Sequence, residues 1–174
     1  MADKKTEKQR TFVREIAGAY GELYKRLFDA PRVYPADKVA YRGGPQHWVK
    51  SVIDPRTVEV TQNFHCHIDV YAPGGHGKRH AHMNSAVFYI LDGEGYDIHD
   101  GVRYDWAAGD VCIVEPNCTH QHFNASKTEP CRMLIMKAKP LFIFANLLYQ
   151  RAVIPEPKDP VPGFEDFDPN VFGF

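Results

Sequence analysis

The chain predicts an all-β fold, a small barrel or jelly roll, on three observations. From Val58 onward, short apolar or alternating runs are separated by turn-forming clusters at intervals of about ten residues. Helical periodicity is confined to the two ends. Between them, His80-Ala81-His82 sits in an extended context, where alternate side chains share a face and two imidazoles lie roughly 7 Å apart at the backbone.

The 174 residues suffice for one structural domain that buries about 70% of the unfolded chain's surface. We divide it into an N-terminal helix and lead-in (1–55), a barrel (56–140), and a C-terminal helix with a Pro/Phe-rich tail (141–174). A net charge of -1, from 21 basic and 22 acidic residues, and the lack of a long basic run argue against nucleic acid or anionic membrane as partners. The longest strongly apolar run, Leu141 to Tyr149, is far short of the roughly 20 residues that span a bilayer. The polar start MADKKTEKQR has no apolar signal core, so a cytoplasmic location is expected. Cys66, Cys112, Cys118 and Cys131 lack CxxC spacing and read as reduced thiols.

In chain order, Phe12, Val13, Ile16, Ala17, Tyr20, Leu23, Tyr24 and Leu27 form an apolar stripe at helical spacing, predicting a helix over residues 6–28 that Pro31 and Pro35 end. Val39 to Pro55 alternates poorly and reads as turns with a short strand. Val58 to Tyr71 alternates Phe64, Cys66, Ile68 and Val70 against His65, His67 and Asp69. The apolar set argues that these histidines look outward, whereas a metal-bearing barrel would have a partly polar interior. Further strands are expected at Val87–Leu91, Tyr96–His99, Val102–Trp106, Val111–Val114, from His120, and at Cys131–Lys137. Asp100-Gly101 signals a two-residue hairpin. Leu141–Arg151 is expected to be a short helix over a barrel end. The tail from Ile154 carries five prolines, which exclude regular structure. Its interleaved phenylalanines suit a surface groove, and with the long N-terminal helix they suggest a homodimer.

Two converging imidazoles on a strand call for a third ligand. His120 opens a later strand that the hairpin folds back toward His80 and His82. Three neutral imidazoles leave coordination positions open, which suits a catalytic metal better than a closed structural site. Cys118 shares strand parity with His120 and is either a residue at the mouth of the site or a small buried filler.

The same residues carry a resemblance. His80-Ala81-His82 followed by Phe88-Tyr89-Ile90-Leu91-Asp92-Gly93 resembles the first motif of the cupin superfamily, and Gly109-Asp110, Pro116, His120 and Asn124 resemble the second. The resemblance implies a double-stranded β-helix, the cupin jelly-roll barrel, with a metal on His80, His82 and His120. Most cupins place a glutamate four residues after the second histidine, where this chain has Ala86. A three-histidine set without that glutamate resembles the gentisate, salicylate and hydroxynaphthoate ring-cleaving dioxygenases. Their second motif contains a pair like His120-Gln121-His122, which implies a pocket role for His122. Those enzymes are typically about twice this length, and their tryptophan-rich approach to the third ligand is replaced here by Asn117-Cys118-Thr119.

The expectation is a metal-dependent enzyme, an Fe(II) dioxygenase acting with O2 on an aromatic acid or a related chelating small molecule. Zinc, manganese, nickel or copper are also compatible with three imidazoles. The alternatives are an O2-independent metal-assisted lyase or isomerase, and a non-catalytic metal or small-ligand binding cupin. His122 is the expected acid or base, since imidazoles titrate near neutral pH. Lys78, Asn84, Phe88 and Asn124 are expected to line the substrate cavity. Arg103 and Arg132 are further candidates for binding an anion. Because the ligands must be neutral, metal affinity is expected to fall as pH drops below about 6.5.

Overall fold

A computed structural model describes residues 28–55 and 63–173. The chain divides into two compact units, Met1–Val33 and Tyr34–Phe174. The helix expected over residues 6–28 lies outside the described residues apart from Phe28. The second unit holds eleven strands among the described residues, in two antiparallel sheets.

The six-stranded sheet contains β1 (Arg42–Gly43), β2 (His47–Ile53), β3 (His65–Tyr71), β5 (Ala86–Asp92), β8 (Val111–Val114) and β10 (Cys131–Lys137), in the order β1-β2-β3-β10-β5-β8. The five-stranded sheet contains β4 (Arg79–His82), β6 (Glu94–His99), β7 (Val102–Ala107), β9 (His120–Asn124) and β11 (Gln150–Ile154), in the order β11-β4-β9-β6-β7. The strands expected from Val87 onward form where the alternation puts them, while the run expected from Val58 is a strand over His65–Tyr71, its residues 58–62 lying outside the described residues. The lead-in is more regular than its poor alternation implied, because β2 pairs with β3 from His47 opposite Tyr71 to Ile53 opposite Cys66.

Period-two burial shows which faces form the core. In β5, Ala86, Phe88 and Ile90 are buried while Val87 and Tyr89 stay exposed. They join Tyr71, Trp106, Val114, Cys118, Cys131, Met133 and Ile135 in one apolar cluster. Phe88 and Ile90 are fully buried, and each contributes roughly 1.5–3 kcal/mol relative to an exposed side chain. Strand β3 is covered on both faces. Gly95 lies against the Phe123 carbonyl and the Trp106 ring with no room for a Cβ. At the hairpin tip Asp100 and Gly101 both have positive φ, 47° and 91°, as a two-residue primed turn demands.

The C-terminal expectation needs correction. The helix α1 spans Lys139–Phe144 and ends before Asn146, whose φ is 57°. Gln150–Ile154 is instead β11, whose register sets Gln150 opposite His82 and Ala152 opposite His80. The edge of β4 would otherwise leave a row of unpaired backbone groups, and Val153 and Ile154 favour the strand that covers it. The tail folds onto its own barrel. Phe167 contacts Trp48 at 5.2 Å, the Arg132 guanidinium lies 4.7 Å from the Phe172 ring centre, and Gln46 donates to the Asp159 carbonyl at 2.9 Å.

Candidate metal centre

Strand register brings the three histidines together. His80 on β4 is the direct partner of His120 on β9, and His82 lies two residues further along the same face. The ring centres are 4.3 Å (His80–His120), 4.8 Å (His82–His120) and 5.4 Å (His80–His82) apart. One nitrogen from each ring lies within 4.8 Å of the other two, a spacing that could hold a metal ion. Loop contacts fix where β9 starts. The Asp100 N–H donates to the Thr119 carbonyl at 2.9 Å, the Thr119 N–H donates to the Asp100 carboxylate at 3.0 Å, and the Asn117 N–H donates to the His82 carbonyl at 2.9 Å.

Each ring is oriented by its backbone. Nδ1 of His82 donates to the Asn84 carbonyl at 2.6 Å, Nδ1 of His120 to the Cys118 carbonyl at 3.0 Å, and Nδ1 of His80 to the Lys78 carbonyl at 3.4 Å. With the proton on Nδ1 in all three, the Nε2 lone pairs remain for a ligand, the outer-shell arrangement typical of metal-bound imidazoles. Burial, then neighbouring imidazoles, pushes His80 down to about 2. Burial and the charge of Lys137 bring His82 to about 4, and burial and His122 bring His120 to about 3. The triad is therefore neutral at pH 7. Its donor set fits a divalent first-row metal with open positions.

The triad faces a cavity of about 190 Å³. On the same sheet, His122 lines this cavity, and its Nδ1 donates to Asp97 at 2.9 Å across the β6–β9 register. Asp97 is buried, accepts also from Trp106 Nε1 at 2.9 Å, and lies 3.2 Å from His99 Nε2. Burial opposes its ionisation, but His122, His99 and Trp106 together hold the carboxyl below the usual carboxylate range. Phe88 meets the His122 ring edge-on at 5.1 Å.

The opposite wall comes from the six-stranded sheet and corrects one expectation. His65 and His67 do not look outward; with Asp69 and Tyr71 they line the cavity. Asp69 lies between two imidazoles, with His67 Nδ1 at 2.5 Å and His47 Nε2 at 2.9 Å. His47 also stacks on Tyr71 at 4.4 Å and approaches Glu156 at 3.5 Å. Burial alone would lower His47, but Asp69 and Glu156 outweigh it and raise the imidazole to about 9. Lys137 also lines the cavity, where burial brings it down to about 8.

The expected pocket residues divide. Lys78 and Phe88 line the cavity, with Lys78 3.5 Å from Glu156. Asn84 and Asn124 are not among the lining residues. The Asn124 amide is used up by the Ala72 carbonyl at 3.0 Å and the Glu129 carbonyl at 2.8 Å, and its oxygen accepts from the Ser126 N–H at 3.0 Å. It ties loops together. Asn84 serves through its backbone carbonyl, which orients His82. Cys118 is the buried filler, its thiol pushed up to about 12 by burial and then Glu115. Arg103 and Arg132 are engaged by Asp105 and Asp92. Sequence reasoning missed His47 because its segment alternates poorly. Asp97 was missed because a lone acidic residue in a strand carries no signal of its partner.

A family model described as a cupin domain matches residues 67–137. The barrel is a cupin barrel. Over 114 residues the chain is 31% identical to a 1-hydroxy-2-naphthoate 1,2-dioxygenase from Nocardioides sp. (strain KP7), a match covering 62% of this chain and 29% of that protein. The chain therefore spans less than a third of the curated relative it matches. Among solved structures, a salicylate 1,2-dioxygenase from Pseudaminobacter salicylatoxidans superposes with a TM-score of 0.56 at 17% identity, covering 65% of this chain and 32% of that one. A cupin-2 domain protein from Rhodospirillum rubrum superposes with a TM-score of 0.51 at 17% identity, covering 63% and 75%. At these identities the structural likeness supports the fold. None of the described helices is long and apolar enough to cross a membrane.

Proposed function

We propose that this cupin is a metal-dependent dioxygenase that binds a small, anionic, chelating substrate, an aromatic hydroxy acid or a related molecule, at His80, His82 and His120. One observation carries the reading: three neutral imidazoles, each with its proton turned to a backbone carbonyl, direct their remaining nitrogens at one cavity. A divalent iron held there supplies a chelating centre and the electrons that bring O2 into reaction with the substrate.

The residues around it have separate tasks. With Ala86 in the cavity wall, no carboxylate offsets the metal's charge at that position, and Lys78 and Lys137 add positive charge, which favours an anionic substrate. Phe88 packs the floor and keeps His122 in place. Held by Asp97, His122 presents its Nε2 to the cavity and accepts or returns a proton there. A cavity of about 150 Å³ holds benzene, so about 190 Å³ favours a single substituted ring over a fused pair. The sequence likeness to a 1-hydroxy-2-naphthoate 1,2-dioxygenase supports the reaction class.

The test is oxygen uptake by iron(II)-loaded protein with a panel of gentisate, salicylate, catechol and diketone compounds. Uptake with at least one is expected, and none with fully metallated protein would refute the dioxygenase reading. Replacing His80, His82 or His120 by Ala should abolish metal binding, while His122→Ala should retain metal and lose turnover. Metal retention by His120→Ala would exclude it as a ligand.

A further inference from the structure

The wall opposite the triad carries a group that the proposed mechanism has not used. His67 is buried, lines the cavity, and turns Nδ1 toward Asp69, while its Nε2 has no hydrogen-bond partner among the described residues. Buried polar atoms without partners are uncommon and costly. The Tyr71 hydroxyl, on the same face of β3 and in the same cavity, also lacks a partner among the described residues. Two unsatisfied polar groups at one cavity wall are what a polar ligand would satisfy.

The protonation pattern follows from geometry. Both nitrogens of His47 face carboxylates, Asp69 at 2.9 Å and Glu156 at 3.5 Å, so both carry protons and the ring is cationic. Asp69 then already holds one imidazolium. A second on His67 would place two cations on one carboxylate, beside the Lys137 ammonium that also lines this wall. His67 is therefore neutral, with its proton on Nδ1 toward Asp69 and its Nε2 lone pair buried in the cavity wall without a hydrogen-bond partner among the described residues. The charged and titratable groups facing it are Asp69 and His65 from β3, His47 from β2 and Lys137 from β10.

We propose that His67, oriented by Asp69, is a second proton acceptor of this cavity and takes the proton from a hydroxyl of the substrate bound at the three-histidine face. The substrate O–H bond breaks, its electron pair stays on oxygen, and an Nε2–H bond forms. The resulting imidazolium keeps its Nδ1 contact with Asp69, its added charge is balanced by the negative charge that forms on the substrate in the same step, and the substrate is left as the oxyanion that chelates best. Tyr71 donates to a neighbouring substrate oxygen. Asp69 and His47 are positioning residues. The site thus takes a hydroxylated chelator rather than one already free of exchangeable protons, which deepens the reading above and rests on it.

Two measurements test this. In metal-free wild type at pH 7, nitrogen-15 NMR of the histidine rings should show His67 Nε2 as an unprotonated, pyridine-type nitrogen; a protonated Nε2 would overturn the proposal without touching the metal site. In zinc-loaded protein, the absorption band of 4-nitrocatechol reports how many protons the bound probe has lost. Wild type should bind it as the dianion at pH 7. His67→Asn, which keeps an amide donor toward Asp69 but has no Nε2, should raise the apparent pKa of the bound probe by at least one unit, a tenfold change in the deprotonation equilibrium. Oxalate, which has no hydroxyl proton to give, should bind wild type and variant within about threefold. An unchanged probe pKa in a variant that still binds oxalate would refute the role of His67. Failure of wild type to bind either probe or oxalate would instead refute the metal-centred reading, and the role of His67 with it.

Discussion

The proton affinity of the three proposed metal ligands yields the sharpest test. Free imidazoles titrate near 6.5, so at pH 5.5 each ligand would be about 91% protonated, metal binding at each would weaken by a factor of about 11, and three together would lose on the order of 10³. The folded triad differs: burial, with nearby positive or titratable groups (His120 for His80, Lys137 for His82, His122 for His120), brings His80, His82 and His120 to about 2, 4 and 3. At pH 5.5 all three remain neutral, so affinity between pH 7.5 and 5.5 should change by less than about twofold. This reverses the expectation drawn from residue type alone. The assay is calorimetric titration of metal-free protein with zinc at both pH values, in buffers of different ionisation enthalpy, with tryptophan fluorescence of each sample verifying the fold. At pH 6, unshifted ligands would release about two protons per metal, whereas the buried triad should release almost none. A tenfold loss of affinity, or release of a proton or more per ion, would refute the argument that burial prepares these rings for the metal.

Three further outcomes follow from the packing and charges. Asp97→Asn sets an amide among the donors of Trp106 and His122 and should cost roughly 3 kcal/mol in denaturant unfolding; a loss below about 1 kcal/mol would show that the carboxylate is not the organising group. Gly95→Ala forces a methyl group into the Phe123 carbonyl and the Trp106 ring, so thermal scans should show a fall of many degrees or no soluble protein, and near-wild-type melting would disprove that close approach. His47 is raised from 6.5 to about 9, so the folded state holds its proton more tightly. Its contribution is fully present below pH 6.5 and is lost as pH rises toward 9, up to about 3 kcal/mol. The stability advantage of wild type over His47→Gln should shrink by that order between pH 6 and 9.5, and an advantage that grows instead would have the wrong sign.

Much of this was legible in the chain because it depends on local rules. The two-residue period of extended backbone put His80 and His82 on one face and marked the barrel strands from β5 to β10. Asp100-Gly101 foretold its hairpin because positive φ is cheap at such residues. Residue identity alone also supplied the Ala86 departure that leaves the ligand set without a carboxylate. What the tertiary structure decided depends on facts that lie far apart in the chain. Which face of β3 turns inward cannot be read from an alternation whose two faces are both buried, so His67 and Asp69 became visible only when the sheets closed around one cavity. Gln150–Ile154 became a strand because β4 offered an unpaired edge. The neutral state of the triad, and the cation on His47, are properties of burial and of partners tens of residues away. Sequence sets which groups are available, but their proton affinities come from the water and charges that folding removes or brings near.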